Sequence, residues 1–178
     1  NLFMYAGMFV WLSGSMLVLI DGYGINAKLA GFLLAFGSAG FMFGAWASAR
    51  LGIQIGPERL ILTGSVIAIG AAVAILAFGL LEFRNGYVVA IPAFVWMFGH
   101  GLHYPQSMAG AIAPFPDKAG AASSLIGFYQ TTAAAIMAFI MGALHDGSAV
   151  PLGILMFVSS AAAFAAYFPF YRQLSLKK

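Results

Sequence analysis

Residues 100–130 read HGLHYPQSMAGAIAPFPDKAGAASSLIGFYQ, and this stretch decides the fold of the chain. Two histidines and a proline, His100, His103 and Pro105, end a long apolar run. Residues 114–118 come next, a proline-rich connection that contains the charged residues of this stretch, Asp117 and Lys118. A second apolar run then begins with small residues. Two apolar runs joined by a short charged turn are typical of two membrane-spanning helices.

The same alternation extends over the whole chain. Hydrophobic residues make up 62% of the 178 residues and charged residues 7%, whereas soluble domains are about 25% charged. Each apolar run is long enough to cross a hydrocarbon core about 30 Å thick as a helix of about 20 residues. We therefore predict an all-α membrane protein in which six transmembrane helices occupy about residues 2–20, 27–49, 58–81, 87–109, 118–144 and 150–171.

The charged residues predict the orientation of these helices. Membrane proteins concentrate Lys and Arg in their cytoplasmic loops. Six basic residues fall on one side of the predicted bundle: Arg50, Arg59, Lys118, Arg172, Lys177 and Lys178. Only Lys28 and Arg84 fall on the other side, so we expect the even-numbered loops and both termini in the cytoplasm. The net charge of +3 is small and dispersed, which does not favour a nucleic-acid partner.

The fourth predicted helix carries the polar residues with the most functional interest. Trp96, His100, His103 and Ser107 follow one another at spacings of four, three and four, so they share one helix face. Ionisable residues inside a membrane usually face a bundle interior or a water-filled cavity. Each histidine is therefore either a structural hydrogen-bonding residue or part of a binding cavity. The remaining histidine, His145, lies at a helix end, and no metal or cofactor site is predicted.

Other helices offer weaker candidates. Met8 and Trp11 lie on one face of the first helix, either as packing residues or as an adaptable cavity wall. Asp21 ends that helix and is either an interfacial carboxylate or an ion-coupling group. Gln130 in the fifth helix is able to bond either a substrate or a neighbouring helix. The third helix has few polar residues, and we expect it to lie at the periphery of the bundle.

Small residues and prolines predict packing and turns. Gly37, Gly40, Gly44 and Ser48 share a face of the second helix, where they permit close approach of another helix. A bend is expected in the fourth helix, which contains Pro92 and Pro105. We expect Asp117 to cap the fifth helix.

Catalysis is not predicted. A serine hydrolase needs an activated serine beside a base, and Ser15 with one of the two central histidines offers only a remote possibility of that kind. The chain has no phosphate-binding loop and no paired carboxylates inside the predicted membrane. It also has no cysteine, which excludes disulfide and thiolate chemistry.

Three segments resemble a known family. They are residues 44–59 (GAWASARLGIQIGPER), residues 99–116 (GHGLHYPQSMAGAIAPFP) and residues 119–130 (AGAASSLIGFYQ). Together they resemble the C-terminal half of a major facilitator superfamily (MFS) transporter, closest to the bicyclomycin/chloramphenicol-resistance (Bcr/CflA-type) drug:proton antiporters. The matching loop-motif residues are Gly44, Arg50, Gly56 and Arg59. The matching hinge and packing residues are Pro105, Pro114, Pro116, Gly120, Ser123 and Gly127. The chain departs from the family pattern at Gln106, where the family usually has Asn, and both histidines lie outside the motif.

The resemblance implies one six-helix half built from two inverted three-helix repeats, with the first and fourth helices beside a central cavity. Its implied partners are a missing N-terminal six-helix half, lipid, protons and a small amphipathic substrate, in a bacterial inner membrane. The chain starts at Asn1 without an initiator Met, and we expect it to be part of a longer protein. The candidate cavity residues are Met8, Trp11, Trp96, His100, His103 and Gln130. The candidate proton-coupling residues are His100, His103 and Asp21. The alternatives are a stand-alone six-helix scaffold or dimeric carrier and, remotely, the hydrolase.

Overall fold

Six helices make up the computed structural model of the protein, which describes residues 1–175. Lys177 and Lys178, which contributed to the predicted orientation, lie outside the described residues. The helices are α1 (Leu2–Met16, continued by a π-helical turn over Leu17–Gly22), α2 (Ala27–Ile55), α3 (Pro57–Leu80), α4 (Gly86–Ile112), α5 (Ala119–Leu144, preceded by a 3-10 turn over Pro116–Lys118) and α6 (Val150–Ser175). No strand occurs among residues 1–175, which confirms the predicted all-α class.

Five of these helices are long and apolar enough to span a membrane, namely α1 with its π-helical turn, α2, α3, α5 with its 3-10 turn, and α6. The exception is α4, whose prolines and histidines lower its mean hydropathy. It nevertheless runs parallel to α2 along most of its length: Gly86 meets Leu33 near one end, and Gln106 meets Gly52 near the other. This register carries α4 across the same layer as α2.

The helix pairs are related by exchanging the first three helices with the last three. Helix α1 packs mainly on α5 and α6, α4 packs mainly on α2 and α3, and α3 packs on α6. Exchanging α1 with α4, α2 with α5 and α3 with α6 reproduces the same set of contacts. The directions agree as well, because α1 runs parallel to α5, as α4 does to α2. This symmetry is the expected signature of a three-plus-three inverted repeat.

Small residues let α2 and α4 approach at backbone distance. A Cβ on Gly40 would collide with the Phe94 carbonyl, and a Cβ on Gly44 would collide with the Phe98 carbonyl. The packing groove predicted on α2 is therefore present. On α5, by contrast, a Cβ at Gly120 or Gly127 meets nothing within 4 Å.

Two local expectations were wrong. The predicted second loop is mostly helix, since α2 continues to Ile55 and α3 starts at Pro57. Gly56 alone makes the turn with a φ of 88°. Asp117 does not cap α5, because it lies in the 3-10 turn and Lys118 takes the cap position without a side-chain bond. Both prolines of α4 lie inside one continuous helix.

The third helix is less peripheral than expected. It packs on both α4 and α6, and Ile75 and several of its small residues, such as Gly64 and Ala68, are buried. The two most exposed helices of the bundle are α2 and α5. In α5 the buried residues are Gln130, Ala134 and Met141 alone. The large free surface of this chain therefore belongs to the second helix of each repeat.

Candidate functional site

The two central histidines of α4 face different neighbours. His103 points at α3, where its Nδ1 lies 3.1 Å from Ser65 Oγ and 3.3 Å from the Ile61 carbonyl oxygen. The Ser65 hydroxyl itself donates to the Ile61 carbonyl over 2.9 Å, so both oxygens are acceptors for a proton on Nδ1. His103 therefore ties α4 to α3. Its other nitrogen, Nε2, is buried without a partner.

His103 also borders a small cavity at the end of the bundle where the α2–α3 and α4–α5 connections lie. We call this the basic end, because Arg50, Arg59 and Lys118 lie there. The cavity holds about 200 Å³ and is bounded by α1, α4 and α6, with Asn1, Ser107 and Tyr167 as its other polar lining residues. His103 thus has one nitrogen committed to helix packing and one beside a polar cavity.

His100 has a different environment. Its side chain is completely buried, and neither ring nitrogen has a hydrogen-bond partner. Three aromatic rings surround the imidazole, with centroid distances of 5.3 Å to Phe41, 5.7 Å to Trp96 and 5.5 Å to Tyr104. Because buried polar atoms are nearly always paired in folded proteins, an imidazole with two free nitrogens is an exceptional feature of this fold.

The surroundings of His100 bring together side chains from four helices. Tyr104 lies 6.2 Å from the Tyr5 ring of α1, and the Gln130 side chain of α5 lies close to the Tyr104 hydroxyl. The nitrogen of the Gln130 amide and the indole nitrogen of Trp96 are both buried without a partner. The aromatic–amide cluster, as we call it, consists of Tyr5, Phe41, Trp96, His100, Tyr104 and Gln130.

Three members of this cluster, Tyr5, Phe41 and Tyr104, were missed by the sequence analysis. Tyr104 had a usable signal, since it follows His100 by four residues and so shares its face of α4. Tyr5 and Phe41 had none, because aromatic residues are frequent in every helix of the chain and only the packing of α1 and α2 brings these two to α4.

The remaining cavity candidates lie in or against the core. Trp11 is fully buried, packs over Gly37 and donates from its indole nitrogen to Ser38 Oγ over 3.3 Å. It joins α1 to α2. Met8 is half-buried and packs against the main hydrophobic cluster. The structure brings Trp96, His100 and Gln130 into one cluster and gives Trp11 and His103 roles as helix ties.

A second polar tie joins α2 to α4. The Ser48 hydroxyl donates to the Leu102 carbonyl over 3.0 Å, and the Gln106 amide nitrogen donates to Ser48 Oγ over 3.0 Å. Gln106, the residue at which the chain departs from the family pattern, therefore reaches across to α2. Its longer side chain spans a distance that Asn, one methylene shorter, would not cover in the same position.

The other two polar candidates of α1 stand apart from the histidines. Asp21 is exposed in the π-helical turn, at the end of the bundle opposite the basic end. Ser15 is fully buried, and its Oγ has no hydrogen-bond partner. In this structure Ser15 is therefore not bonded to either histidine. Among residues 1–175 no group of three His, Cys, Asp or Glu side chains gathers as a metal site would require.

The end opposite the basic end carries a polar depression of about 270 Å³ between the connections. Its lining includes Tyr23, Glu82, Arg84 and Asp146. Hydrogen bonds from the side chain and the backbone of Ser148 lower the pKa of Asp146 below 3.8. Burial raises the pKa of Tyr23, while nearby Arg84 acts in the opposite direction.

The predicted loop motif is an irregular helix junction. Arg50 lies over the Trp46 ring at 5.5 Å, a cation–π contact on the exposed side of α2. Arg59 is exposed in the first turn of α3, while Gly44 is buried against α4. The junction therefore places exposed basic residues at the ends of two helices joined by Gly56.

Comparison with known proteins finds transporters. The chain is 25% identical over 166 residues to an uncharacterized MFS-type transporter of Bacillus subtilis, which covers 93% of the chain and 41% of the relative. It is 24% identical over 159 residues to multidrug resistance protein D of Escherichia coli (85% and 38%). It is 22% identical over 166 residues to a bicyclomycin resistance protein homolog of Haemophilus influenzae (93% and 42%).

The chain thus spans about two fifths of the length of the curated relatives it matches. No protein-family profile and no solved structure matches it significantly. The similarity covers most of this chain in each case, and the six-helix fold with its internal symmetry agrees with it. The chain is therefore similar, over most of its length, to about two fifths of several MFS-type transporters, among them a multidrug resistance protein and a bicyclomycin resistance homolog.

Proposed function

We propose that the chain is the C-terminal half of a secondary active transporter that moves small amphipathic compounds across the bacterial inner membrane by alternating access, driven by protons. The exchange symmetry of the helix contacts carries this proposal. Inverted repeats of this kind place the first helix of each repeat beside a central substrate site in MFS transporters. In this chain those helices are α1 and α4, which supply Tyr5, Trp96, His100 and Tyr104 to the aromatic–amide cluster.

The unpartnered faces of α2 and α5 support a second six-helix bundle as the partner. These helices flank α1 and α4 and expose large apolar side chains, among them Phe43 and Trp46 on α2 and Phe128 and Phe139 on α5. Gly120, Ser123 and Gly127 form an open strip of small residues on α5. Small residues permit close helix contact in membranes, so this strip favours another protein helix over lipid alone.

The proposed orientation keeps the even-numbered connections and both ends of the chain in the cytoplasm. Arg50, Arg59 and Lys118 lie at the basic end, whereas Lys28 and Arg84 lie near the opposite end. The positive-inside rule assigns the basic end to the cytoplasm. A cysteine introduced at exposed Asp117 should react with an impermeant maleimide only after the cells are opened. Labelling in intact cells would indicate the opposite orientation.

The transport proposal is tested with the product of the complete reading frame in proteoliposomes. Bicyclomycin and the lipophilic cation tetraphenylphosphonium serve as cargo, and a pH gradient is imposed across the vesicle membrane. We expect flux of at least one cargo above that of empty vesicles, and its collapse when an ionophore removes the gradient. Flux that does not depend on the pH gradient would contradict proton coupling. The absence of flux above that of empty vesicles would contradict transport of these cargoes.

Proton-coupling residues are tested in the same assay. His100, His103 and Asp21 are the candidates in this chain. A His100→Asn, His103→Asn double variant and an Asp21→Asn variant are compared with the parent. Unchanged coupling in all of them assigns the proton site to the partner half. Transport by residues 1–178 alone would instead favour the stand-alone dimeric carrier.

A further inference from the structure

We propose that the aromatic–amide cluster binds the uncharged, hydrogen-bond-accepting end of an aromatic compound. The inference rests on the proposed transport function and specifies which cargo this half recognises. Its basis is a set of buried polar atoms that the fold itself leaves without partners, all of them within one cluster of six side chains.

The unpartnered atoms have a defined chemistry. Trp96 Nε1 and Gln130 Nε2 are donors only. A neutral His100 imidazole adds one donor and one acceptor. The cluster therefore offers more free donors than acceptors, although Trp96 and His100 are completely buried and Gln130 is 4% exposed. An unpaired buried donor destabilises the fold because it has lost its bonds to water, and a carbonyl or similar acceptor restores the missing bond.

The walls of the cluster favour an aromatic ligand. Phe41 and Tyr104 lie 5.9 Å apart at an angle of 66°, and both contact the His100 ring. Aromatic groups pair at such separations in tilted and edge-to-face arrangements. Tyr5, Phe41 and Tyr104 are half-buried, so rotation of these three rings is the motion that would admit a ligand to the buried donors beneath them.

Charge argues against a cationic ligand at this site. The five acidic residues of the chain are Asp21, Glu58, Glu82, Asp117 and Asp146, and all of them lie at helix ends or connections. A cation placed beside free donors at membrane depth would meet repulsion and no counter-charge from this chain. The donors instead match a lactone, amide or ketone oxygen.

The test uses the product of the complete reading frame in lipid nanodiscs and a matched pair of neutral probes. 7-Methoxycoumarin carries a carbonyl acceptor, and 2-methoxynaphthalene has a similar shape without it. Binding is measured calorimetrically against empty nanodiscs, with tetraphenylphosphonium as a cationic third probe. We expect 7-methoxycoumarin to bind at least about tenfold more tightly than 2-methoxynaphthalene, since a tenfold difference corresponds to 1.4 kcal/mol.

Variants identify the site. Gln130→Met and Trp96→Phe keep most of the side-chain volume and remove one donor each, so each should weaken 7-methoxycoumarin binding several-fold and leave 2-methoxynaphthalene unchanged. Thr132→Val is the matched control, because Thr132 is exposed and bonds its own helix at Phe128. If a variant fails to fold, the comparison of probes on the parent protein still decides.

The outcomes separate this inference from the transport proposal. Three results would contradict the binding site even if transport is observed. They are equal affinity for the two neutral probes, tetraphenylphosphonium binding that is the tightest of the three and is weakened by Gln130→Met, and unchanged 7-methoxycoumarin binding in both variants. These results would indicate that water or a side chain of the partner half pairs with the free donors. Selective binding of 7-methoxycoumarin without any flux would support the binding site and contradict the transport proposal.

Discussion

His103 Nδ1 lies 3.1 Å from Ser65 Oγ, in the buried contact between α4 and α3. Interhelical hydrogen bonds in membranes contribute about 0.6 kcal/mol on average, and removing one partner of a buried bond adds the cost of the atom left behind. We expect Ser65→Ala to lower the free energy of unfolding by about 1 kcal/mol, measured by steric trapping or thermal unfolding in detergent. Thr63→Ala, an exposed site in the same helix, is the control and should change little.

A double-mutant cycle shows whether that loss belongs to the pair. His103→Phe alone removes the tie, and Ser65→Ala in that background should then cost less than it does in the parent. Additive losses would mean that the serine acts only through its bond to the Ile61 carbonyl in its own helix.

Gly40 and Gly44 set the distance between α2 and α4. A methyl group at either position collides with a backbone carbonyl of α4, which cannot move aside as a side chain does. We expect Gly40→Ala and Gly44→Ala each to destabilise the fold by about 1–3 kcal/mol, the usual cost of overpacking. Gly31→Ala in the same helix meets nothing within 4 Å and should be neutral or slightly stabilising. Equal stability of all three variants would contradict the close approach.

The sequence alone predicted the large elements and failed at features that depend on packing. Long uncharged runs located the six helices because a membrane demands continuous apolar helix. The turn at Gly56 was missed because Arg50 and Arg59 marked the ends of the apolar runs, and a charged segment beyond the apolar run is either loop or helix. The histidine stripe of α4 was located, but its division into a tie at His103 and an unpaired ring at His100 depends on where α3 and α2 lie. No helical periodicity contains that information.

Gly56 holds the tight junction between α2 and α3. Its φ of 88° with a ψ of 150° belongs to a region of backbone conformation that essentially only glycine occupies. Gly56→Ala should therefore lower the free energy of unfolding by about 1–3 kcal/mol. Gly70→Ala, at a helical position with open space around the new methyl group, is the control. Comparable unfolding free energies for the two variants would contradict this assignment of the turn.

Asp146 gives the connection between α5 and α6 a dependence on pH. Its carboxylate accepts hydrogen bonds from Ser148, whose backbone N–H lies 2.8 Å from Oδ1, and these bonds lower its pKa. A pKa lowered by folding means that the stabilisation is fully present above the ordinary value of 3.8 and is lost as the pH falls through the folded value. The effect is local and small, because exposed charges are well screened by solvent.

We therefore expect the amide of Ser148 to exchange hydrogen faster as the pH falls below about 4, after correction for intrinsic exchange. Ser148→Ala removes the side-chain bond and keeps the backbone bond, so the pKa of Asp146 should rise towards its ordinary value and the onset should move to higher pH. Carboxyl NMR titration of labelled aspartate measures the pKa of Asp146, and hydrogen exchange at the Ser148 amide measures the onset. Ser124→Ala, whose hydroxyl bonds only Gly120 in its own helix, should leave the titration unchanged. An Asp146 titration that is the same in the parent and in Ser148→Ala would show that the Ser148 hydroxyl does not lower the pKa.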